Sequence, residues 1–127
     1  MGEQQTEARP STAAIPGSHT IWELVLHMTA WADIGRRRVA GEVVEPTPAE
    51  DWPPPATVSA AAWNETVAAL ERSHGELRRA ALALGESHLE DRTPGKPDNL
   101  YVLLHGVLQH TLYHAGQIAI LKRAVAK

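Results

Sequence analysis

The sequence predicts an all-α fold, and three observations support this prediction. Three long segments repeat apolar residues with the 3.6-residue period of an amphipathic helix. Proline and glycine are concentrated between those segments, as is typical of loops. No segment alternates apolar and polar residues in the manner of a strand. We therefore expect a helical bundle with three long helices and two long connections.

The composition limits the classes of protein that remain. The 127 residues are enough for one domain, and a hydrophobic content of 43% is typical of a globular chain. The formal net charge of −3 argues against a general nucleic-acid-binding protein. The absence of cysteine excludes disulfides, thiolate zinc sites and a cysteine nucleophile.

Neither a membrane span nor a signal peptide is visible in the sequence. No run approaches the roughly 18 consecutive apolar residues of a transmembrane helix, and the first residues lack the apolar stretch of a secretory signal. We expect a cytoplasmic protein without membrane contact. Residues 1–17 are predicted to form a flexible N-terminal arm, with at most one turn of helix near residues 4–9, and residues 18–127 to form the helical domain.

The first long helix is predicted over residues 21–40. Thr20 and Glu23 have the spacing of a capping box, and Gly41 provides a stop. Arg36–Arg38 close the helix, where cations complement the helix dipole, and we interpret them as a solvated helix end in preference to a phosphate site. The apolar stripe of this helix consists of Leu24, Met28, Trp31 and Ile34.

A proline-rich connection follows at residues 42–56, where the prolines oppose regular structure. Trp52 lies in this segment. We interpret the aromatic side chain as an anchor onto the core, and the alternative is a lid over a pocket.

The second and third long helices are predicted at Thr57–Leu84 and from Pro97 to the C-terminus. Gly75 weakens the middle of the second helix, where a bend is easiest, and Gly85 ends it. Asp98 is the expected N-cap of the third helix. The packing face predicted for the second helix comprises Val58, Ala62, Glu65, Ala69, Leu70, Leu77 and Leu84.

The third helix carries His110 and His114 four residues apart, a spacing that places two side chains one turn apart on the same helical face. At about 100° per residue, this face also contains Leu103, Val107, Ile118 and Leu121. The two histidines are therefore expected to point into the bundle. His27 lies beside the apolar stripe of the first helix, so the three imidazoles are expected to meet.

Three inward imidazoles are a suitable ligand set for a divalent metal and leave a coordination position open. The alternative is that they are ordinary core histidines. Gln117 and Glu23 are candidates to orient the ligands. The alternative for Gln117 is a buried amide that bonds to a neighbouring helix, and the alternative for Glu23 is the capping box, which we favour. We expect Tyr113 to pack in the core, and the alternative is that it lines a pocket. The remaining histidines are expected at the surface: His19, His74, His88 and His105.

Two segments of the chain resemble the DinB/YfiT-like superfamily of metalloenzymes. They are IPGSHTIWELVLHMTAW and LLHGVLQHTLYHAGQIAILKRA, of which HTLYHAGQIA is the most specific part. The resemblance covers residues 15–124 and implies an up-down-down-up four-helix bundle. It also implies a divalent metal, zinc or nickel most often, held near one end by three histidines. The corresponding residues here are His27, His110 and His114.

The resemblance also implies a type of chemistry. Members of this superfamily include thiol transferases that use bacillithiol and an isomerase that uses mycothiol. Their metal is expected to bind the thiol of this low-molecular-weight cofactor and to favour the thiolate for attack on an electrophilic carbon. This chemistry suits a chain without cysteine, because the sulfur arrives with the cofactor.

One departure from the family pattern concerns the first helix of the bundle. The family normally has a full helix before the segment IPGSHTIWELVLH, whereas the few residues that precede it here are poor helix material. We therefore expect that helix to be missing or shortened. Three helices would leave an apolar groove, which a second subunit of a homodimer is expected to cover.

Two functional interpretations remain open. The first is a metal-dependent enzyme of the thiol S-transferase or hydrolase kind that acts on a small electrophilic substrate. The second is a non-catalytic helical dimer with a structural or vestigial metal site. DNA binding, a third interpretation, is disfavoured by the charge balance. No catalytic residue beyond the metal ligands is identified.

Overall fold

The computed structural model describes residues 10–126, and the helix predicted near residues 4–9 lies outside this range. The described part contains no strand, only one isolated bridge between Arg92 and Asn99. The all-α prediction is confirmed. Four α-helices, with a 3-10 turn at Glu86–His88, occur in the order α1 (Ile21–Val39), α2 (Pro48–Asp51), α3 (Ala60–Leu84) and α4 (Leu100–Ala126).

Helix α1 is the central element, because α2, α3 and α4 all pack against it. Its start is the predicted capping box. Thr20 Oγ1 accepts a hydrogen bond from the backbone N–H of Glu23, and the Glu23 carboxylate accepts one from the backbone N–H of Thr20. The latter bond lowers the pKa of Glu23. The last turn carries the three arginines, and Gly41 follows with a φ of 100°, a backbone conformation that favours glycine.

The segment before α1 contacts the core. Residues 10–20 contain no helix, yet the carbonyl of Pro10 accepts a hydrogen bond from the backbone N–H of Trp22 at 2.8 Å. Ala14 packs against the main apolar cluster. The predicted division between an arm and a domain at residue 17 stays a prediction.

The core lies between α1 and its two long neighbours. Trp22 and Leu24 are almost fully buried, and burial of an aliphatic side chain such as Leu24 contributes about 1.5–3 kcal/mol. The indole N–H of Trp22 donates to Thr66 Oγ1 of α3 at 3.1 Å, so its buried donor is satisfied. The Trp22 ring also meets Trp63 edge to face, with centroids 5.3 Å apart.

Gly35 allows the three long helices to approach closely at one point of α1. A Cβ atom at this position would lie 3.2 Å from Val107 Cγ2 of α4 and 3.6 Å from Leu77 Cδ1 of α3. The first of these distances is tighter than an ordinary van der Waals contact, so alanine would force Val107 to shift. The helices can pack this closely because Gly35 has no side chain.

The proline-rich connection contains a short helix that we did not predict. Helix α2 begins with a second capping box, in which Thr47 Oγ1 accepts from the backbone N–H of Glu50 and the Glu50 carboxylate accepts from the backbone N–H of Thr47. Pro48 occupies the first turn, where its missing N–H costs nothing. The expectation that prolines exclude regular structure from this segment was wrong at Pro48–Asp51.

Helix α3 starts later than predicted and presents a different face. Ser59 caps it by accepting a hydrogen bond from the backbone N–H of Ala62, so residues 57–59 precede the helix. Val58 and Glu65 are exposed, and their placement on the packing face was wrong. The residues that face the core include Trp63, Thr66, Leu70 and Leu77. The helix runs without interruption to Leu84 and ends at a glycine, as predicted.

Helix α4 has a buried face and an exposed apolar face. Its N-cap is Asn99 rather than the predicted Asp98, because Asn99 Oδ1 accepts the backbone N–H of Val102. The predicted inward face is confirmed: His114 and Leu121 are buried, and the other members are partly buried. The outward face exposes Val102, Leu108, Leu112, Tyr113 and Ile120. Tyr113 is 66% exposed, so the expectation that it packs in the core was wrong.

Candidate metal centre

Three imidazole rings meet where α1 packs against α4. His110 Nε2 lies 3.0 Å from His27 Nε2 and 3.0 Å from His114 Nε2. The three candidate ligand atoms lie within 4.8 Å of one another. His27 and His114 are buried, and His110 is partly buried. The structure thus brings together the three histidines that the sequence placed on inward faces.

Two of the rings are held in a defined tautomer by an oxygen on their far side. His27 Nδ1 lies 2.6 Å from the backbone carbonyl oxygen of Asp51, and His114 Nδ1 lies 2.6 Å from Gln117 Oε1. Carbonyl and amide oxygens only accept hydrogen bonds, so each Nδ1 must be the donor. Each neutral ring therefore presents the lone pair of Nε2 to the centre of the cluster.

The environment favours the neutral form of His27 and His110. Burial lowers the pKa of His27, although its hydrogen bond to the Asp51 carbonyl acts in the opposite direction. Burial also lowers the pKa of His110 to about 4, and the proximity of His114 and His27 contributes. Neutral imidazole is the form that binds a metal ion.

The hydrogen bonds of the cluster provide a test of whether a cation fits it. The outer Nε2 atoms of His27 and His114 carry lone pairs, and His110 Nε2 has at most one proton to share between them. Lone pairs therefore face one another inside the cluster, and a central cation would satisfy all three. Neutral imidazoles suit zinc, nickel and related ions, so the residues present can hold a divalent metal.

The protein-family model of the DinB superfamily matches residues 1–118 of the sequence, which is nearly the whole chain. The protein belongs to the DinB superfamily. The resemblance seen in the sequence and the expected helical fold are thereby confirmed. A search of curated proteins and a search of solved structures each give no significant match.

Two cavities flank the histidine cluster of this DinB-superfamily protein. The first, which we call the His27–Arg38 cavity, has a volume of about 300 Å³. It runs along α1 and is lined by His27, Trp31, Gly35, Arg38, Asp51, Leu103, Gly106, Val107 and His110. The second has a volume of about 360 Å³ and includes His19 and Gln117 in its wall. Only the first is lined by members of the cluster itself.

Trp52 anchors the proline-rich connection onto the core, as predicted, and also packs on the histidine cluster. Its indole stacks on the ring of His27 with centroids 3.7 Å apart, and on the other side it stacks on His19 at 3.8 Å. It also packs against the apolar core. The expectation that His19 is a surface residue holds for its exposure, yet its ring closes this stack.

Asp51 is a site residue that sequence reasoning missed. Besides its carbonyl contact, its carboxylate accepts a hydrogen bond from Trp31 Nε1 at 2.6 Å and lies 3.3 Å from His27 Nδ1. The signal that could have found it is the Thr47-x-x-Glu50 capping box, which predicts the turn that carries Asp51.

The other candidate residues have separate roles. Gln117 contacts His114 and orients it, whereas Glu23 serves the capping box and does not contact His27. His88 is exposed and bonded to Asp91, and His105 is exposed, as expected. His74 was expected at the surface, but its Nε2 is enclosed without a hydrogen-bond partner among the described residues, and burial lowers its pKa.

No helix in residues 10–126 has the combination of length and apolar character that crossing a membrane requires.

Proposed function

We propose that this protein is a divalent-metal-dependent enzyme whose metal is held by His27, His110 and His114. Its activity is transfer of a low-molecular-weight thiol of the bacillithiol or mycothiol kind, or hydrolysis, on a small electrophilic substrate. Zinc and nickel are the expected metals. The observation that supports this proposal best is the convergence of three Nε2 atoms in a cluster whose members His27 and His110 line a cavity large enough for a small molecule.

The chain contributes orientation and a defined proton arrangement. The Asp51 carbonyl and Gln117 keep a proton on Nδ1 of His27 and His114, so both rings direct a lone pair inwards. A bound divalent ion would supply Lewis-acid activation of a thiol or a water in its open coordination position. The apolar walls at Trp31, Leu103 and Val107 reduce the water around a bound molecule, which strengthens electrostatic contacts there.

The exposed apolar face of α4 supports an association of two copies. Leu108, Leu112 and Ile120 are each more than half exposed on this helix. Contiguous exposed apolar side chains are typical of interfaces. We propose a homodimer in which the partner covers this face. The same observation favours a second candidate function, a non-catalytic helical dimer with a structural or vestigial metal site.

Light scattering tests the association. The wild type is expected to run as a dimer at micromolar concentration, and Leu112→Glu is expected to shift it to monomer. Leu82→Glu is the matched control, because Leu82 is 68% exposed on α3 and lies outside the proposed interface. A monomeric wild type would rule the homodimer out.

Metal content measured by mass spectrometry tests the enzyme proposal. The wild type, loaded with zinc or nickel and then dialysed, is expected to retain about one equivalent of metal, and His110→Ala to lose it. His105→Ala is the matched control on the same helix, because His105 is exposed and lies away from the cluster. A wild type without metal after reconstitution would overturn the proposal and favour the non-catalytic dimer. Equal metal in all three proteins would exclude the histidine cluster as the site.

A further inference from the structure

Arg38 differs from the two arginines before it. Arg36 pairs with Asp33 at 2.8 Å, and Arg37 pairs with Glu42 at 2.8 Å, as expected of a solvated helix end. Arg38 is only 7% exposed, and no carboxylate within the described range lies at ion-pair distance from it. The interpretation of the arginine run as solvated is therefore wrong for Arg38.

The guanidinium of Arg38 is only partly satisfied. Its Nη2 donates to the carbonyl of Val44 at 2.8 Å, while its Nε is enclosed and has no hydrogen-bond partner among residues 10–126. Glu45, the acidic residue next to Val44, pairs instead with Lys96 at 2.9 Å. Glu45 lies near enough to Arg38 for an electrostatic interaction, but no carboxylate among residues 10–126 pairs with the guanidinium directly. A buried cation without a direct ion pair is costly, so an anion that reaches it would be bound favourably.

The position of Arg38 links it to the histidine cluster. Arg38 lines the same cavity as His27 and His110. Its guanidinium carbon lies 5.6 Å from the centroid of the Trp31 ring, and that ring lies 5.7 Å from the His110 ring. One indole therefore separates the cation from the histidines. A short flexible molecule along the Trp31 face could reach both.

We infer that Arg38 binds the carboxylate of the thiol that the cavity accepts. This inference rests on the proposed function, because it places the thiol group at the His27, His110 and His114 end. The Asp51 carboxylate also lies at that end, so a negative group is better accommodated beside Arg38 than beside His27. The preferred thiol carries a carboxylate at the end of a short linker.

The competing explanation is a purely structural role. The bond to Val44 ties the connection to α1, and the contact with Trp31 is a cation–π interaction. Both would be independent of any ligand. The two explanations differ in whether the Arg38 resonances respond to a carboxylate.

The experiment compares two probes of equal carbon number that differ in their terminal group, the carboxylate of 6-mercaptohexanoate and the hydroxyl of 6-mercapto-1-hexanol. Affinities are measured by calorimetry on the zinc-loaded wild type, Arg38→Gln and Arg38→Lys. The wild type is expected to bind the carboxylate probe at least about tenfold more tightly, as a charge-assisted hydrogen bond predicts. The preference is expected to disappear in Arg38→Gln and to persist in part in Arg38→Lys.

A second readout does not depend on metal or on a folded variant. The Nε–H signal of Arg38 in ¹H–¹⁵N spectra of the metal-free wild type is expected to shift with 6-mercaptohexanoate and not with the alcohol. Equal binding of both probes to the zinc protein, without a shift of that signal, would overturn the inference and leave the enzyme proposal intact. A protein that binds no zinc but shows the shift would overturn the enzyme proposal and retain the anion site. No binding and no shift would overturn both.

Discussion

The indole of Trp52 lies flat on the imidazole of His27, with ring centroids 3.7 Å apart and ring planes 3° from parallel. A residue of the proline-rich connection thus covers one face of a candidate ligand. The Asp51 carbonyl, one residue earlier, holds the Nδ1 edge of the same ring. The connection fixes both the tilt and the tautomer of His27.

Removal of the stacked ring is expected to weaken metal binding without abolishing it. In Trp52→Ala, His27 keeps its hydrogen bond to Asp51, but its imidazole ring is free to tilt. We therefore expect zinc affinity to fall by about tenfold. Competition with a chromophoric chelator measures this change. Trp52→Phe retains a flat ring and is expected to bind nearly as well as the wild type. Equal affinity of Trp52→Ala and the wild type would show that the stack does not orient the ligand.

The contact between His27 and residue 51 is expected to survive loss of the carboxylate. In Asp51→Asn the backbone carbonyl still accepts from His27 Nδ1, and the amide oxygen still accepts from Trp31 Nε1. We expect one equivalent of zinc to be retained, with affinity reduced by less than about tenfold. His27→Ala, measured in parallel, is expected to lose the metal. Complete loss of zinc from Asp51→Asn would mean that the carboxylate, rather than the carbonyl, positions the ring.

Acid is expected to destabilise the metal-free protein. The pKa of His110 is about 4 in the folded chain against an ordinary value of 6.5, and the pKa of His27 is lowered too. Below pH 6.5 the unfolded chain therefore binds more protons than the folded chain. The contribution of these two histidines to the free energy of unfolding is greatest above that pH and is lost as the pH falls towards 4. Urea unfolding of chelator-treated protein should show a lower midpoint at pH 5.5 than at pH 7.5.

The control for this acid effect is a variant without the two shifted groups. The double substitution His27→Ala and His110→Ala is expected to show a smaller decrease between the same two pH values. A midpoint that is unchanged or higher at pH 5.5 in the wild type would contradict the direction of the pKa shifts.

The capping box of α1 is expected to contribute measurably to stability. Thr20→Ala removes the acceptor for the backbone N–H of Glu23, and we expect the free energy of unfolding to fall by about 1 kcal/mol. Thr29→Ala is the matched control on the same helix. The Thr29 hydroxyl donates to the Val25 carbonyl, which is already bonded within the helix, so its loss should be nearly neutral. Equal effects of the two substitutions would argue against a special role of the cap.

The helix periods and caps predict much of this fold. The Thr20–Glu23 spacing sets the start of α1, and the period of α4 places His110 and His114 inward, because both patterns are local properties of a helix. The same period does not predict which apolar residues on the other faces of α4 are covered by a neighbouring element. Tyr113 was expected inside for that reason, and its exposure follows from the absence of a neighbouring element on that face in the described chain.

Contacts made by the backbone or across long distances are beyond a pattern of residue types. The oxygen that orients His27 belongs to a peptide group, so no residue type in the sequence predicts this contact. The burial of Arg38 depends on how the chain folds back at Val44. A run of three arginines gives no sign of which member turns inward. Helix α2 could have been predicted, because Thr47, Pro48 and Glu50 form a complete start signal.

The two ends of the His27–Arg38 cavity belong to one helix. Arg38 follows His27 by eleven positions in α1, which is about 16.5 Å of axial rise between their Cα atoms. One continuous helix keeps these two positions at a fixed distance, whereas loops would allow that distance to vary. The span offered to a bound molecule is therefore set by the backbone hydrogen bonds of α1, and only rotation of the Arg38 side chain can adjust it. We therefore expect such a cavity to select bound molecules by their chain length more than by their shape.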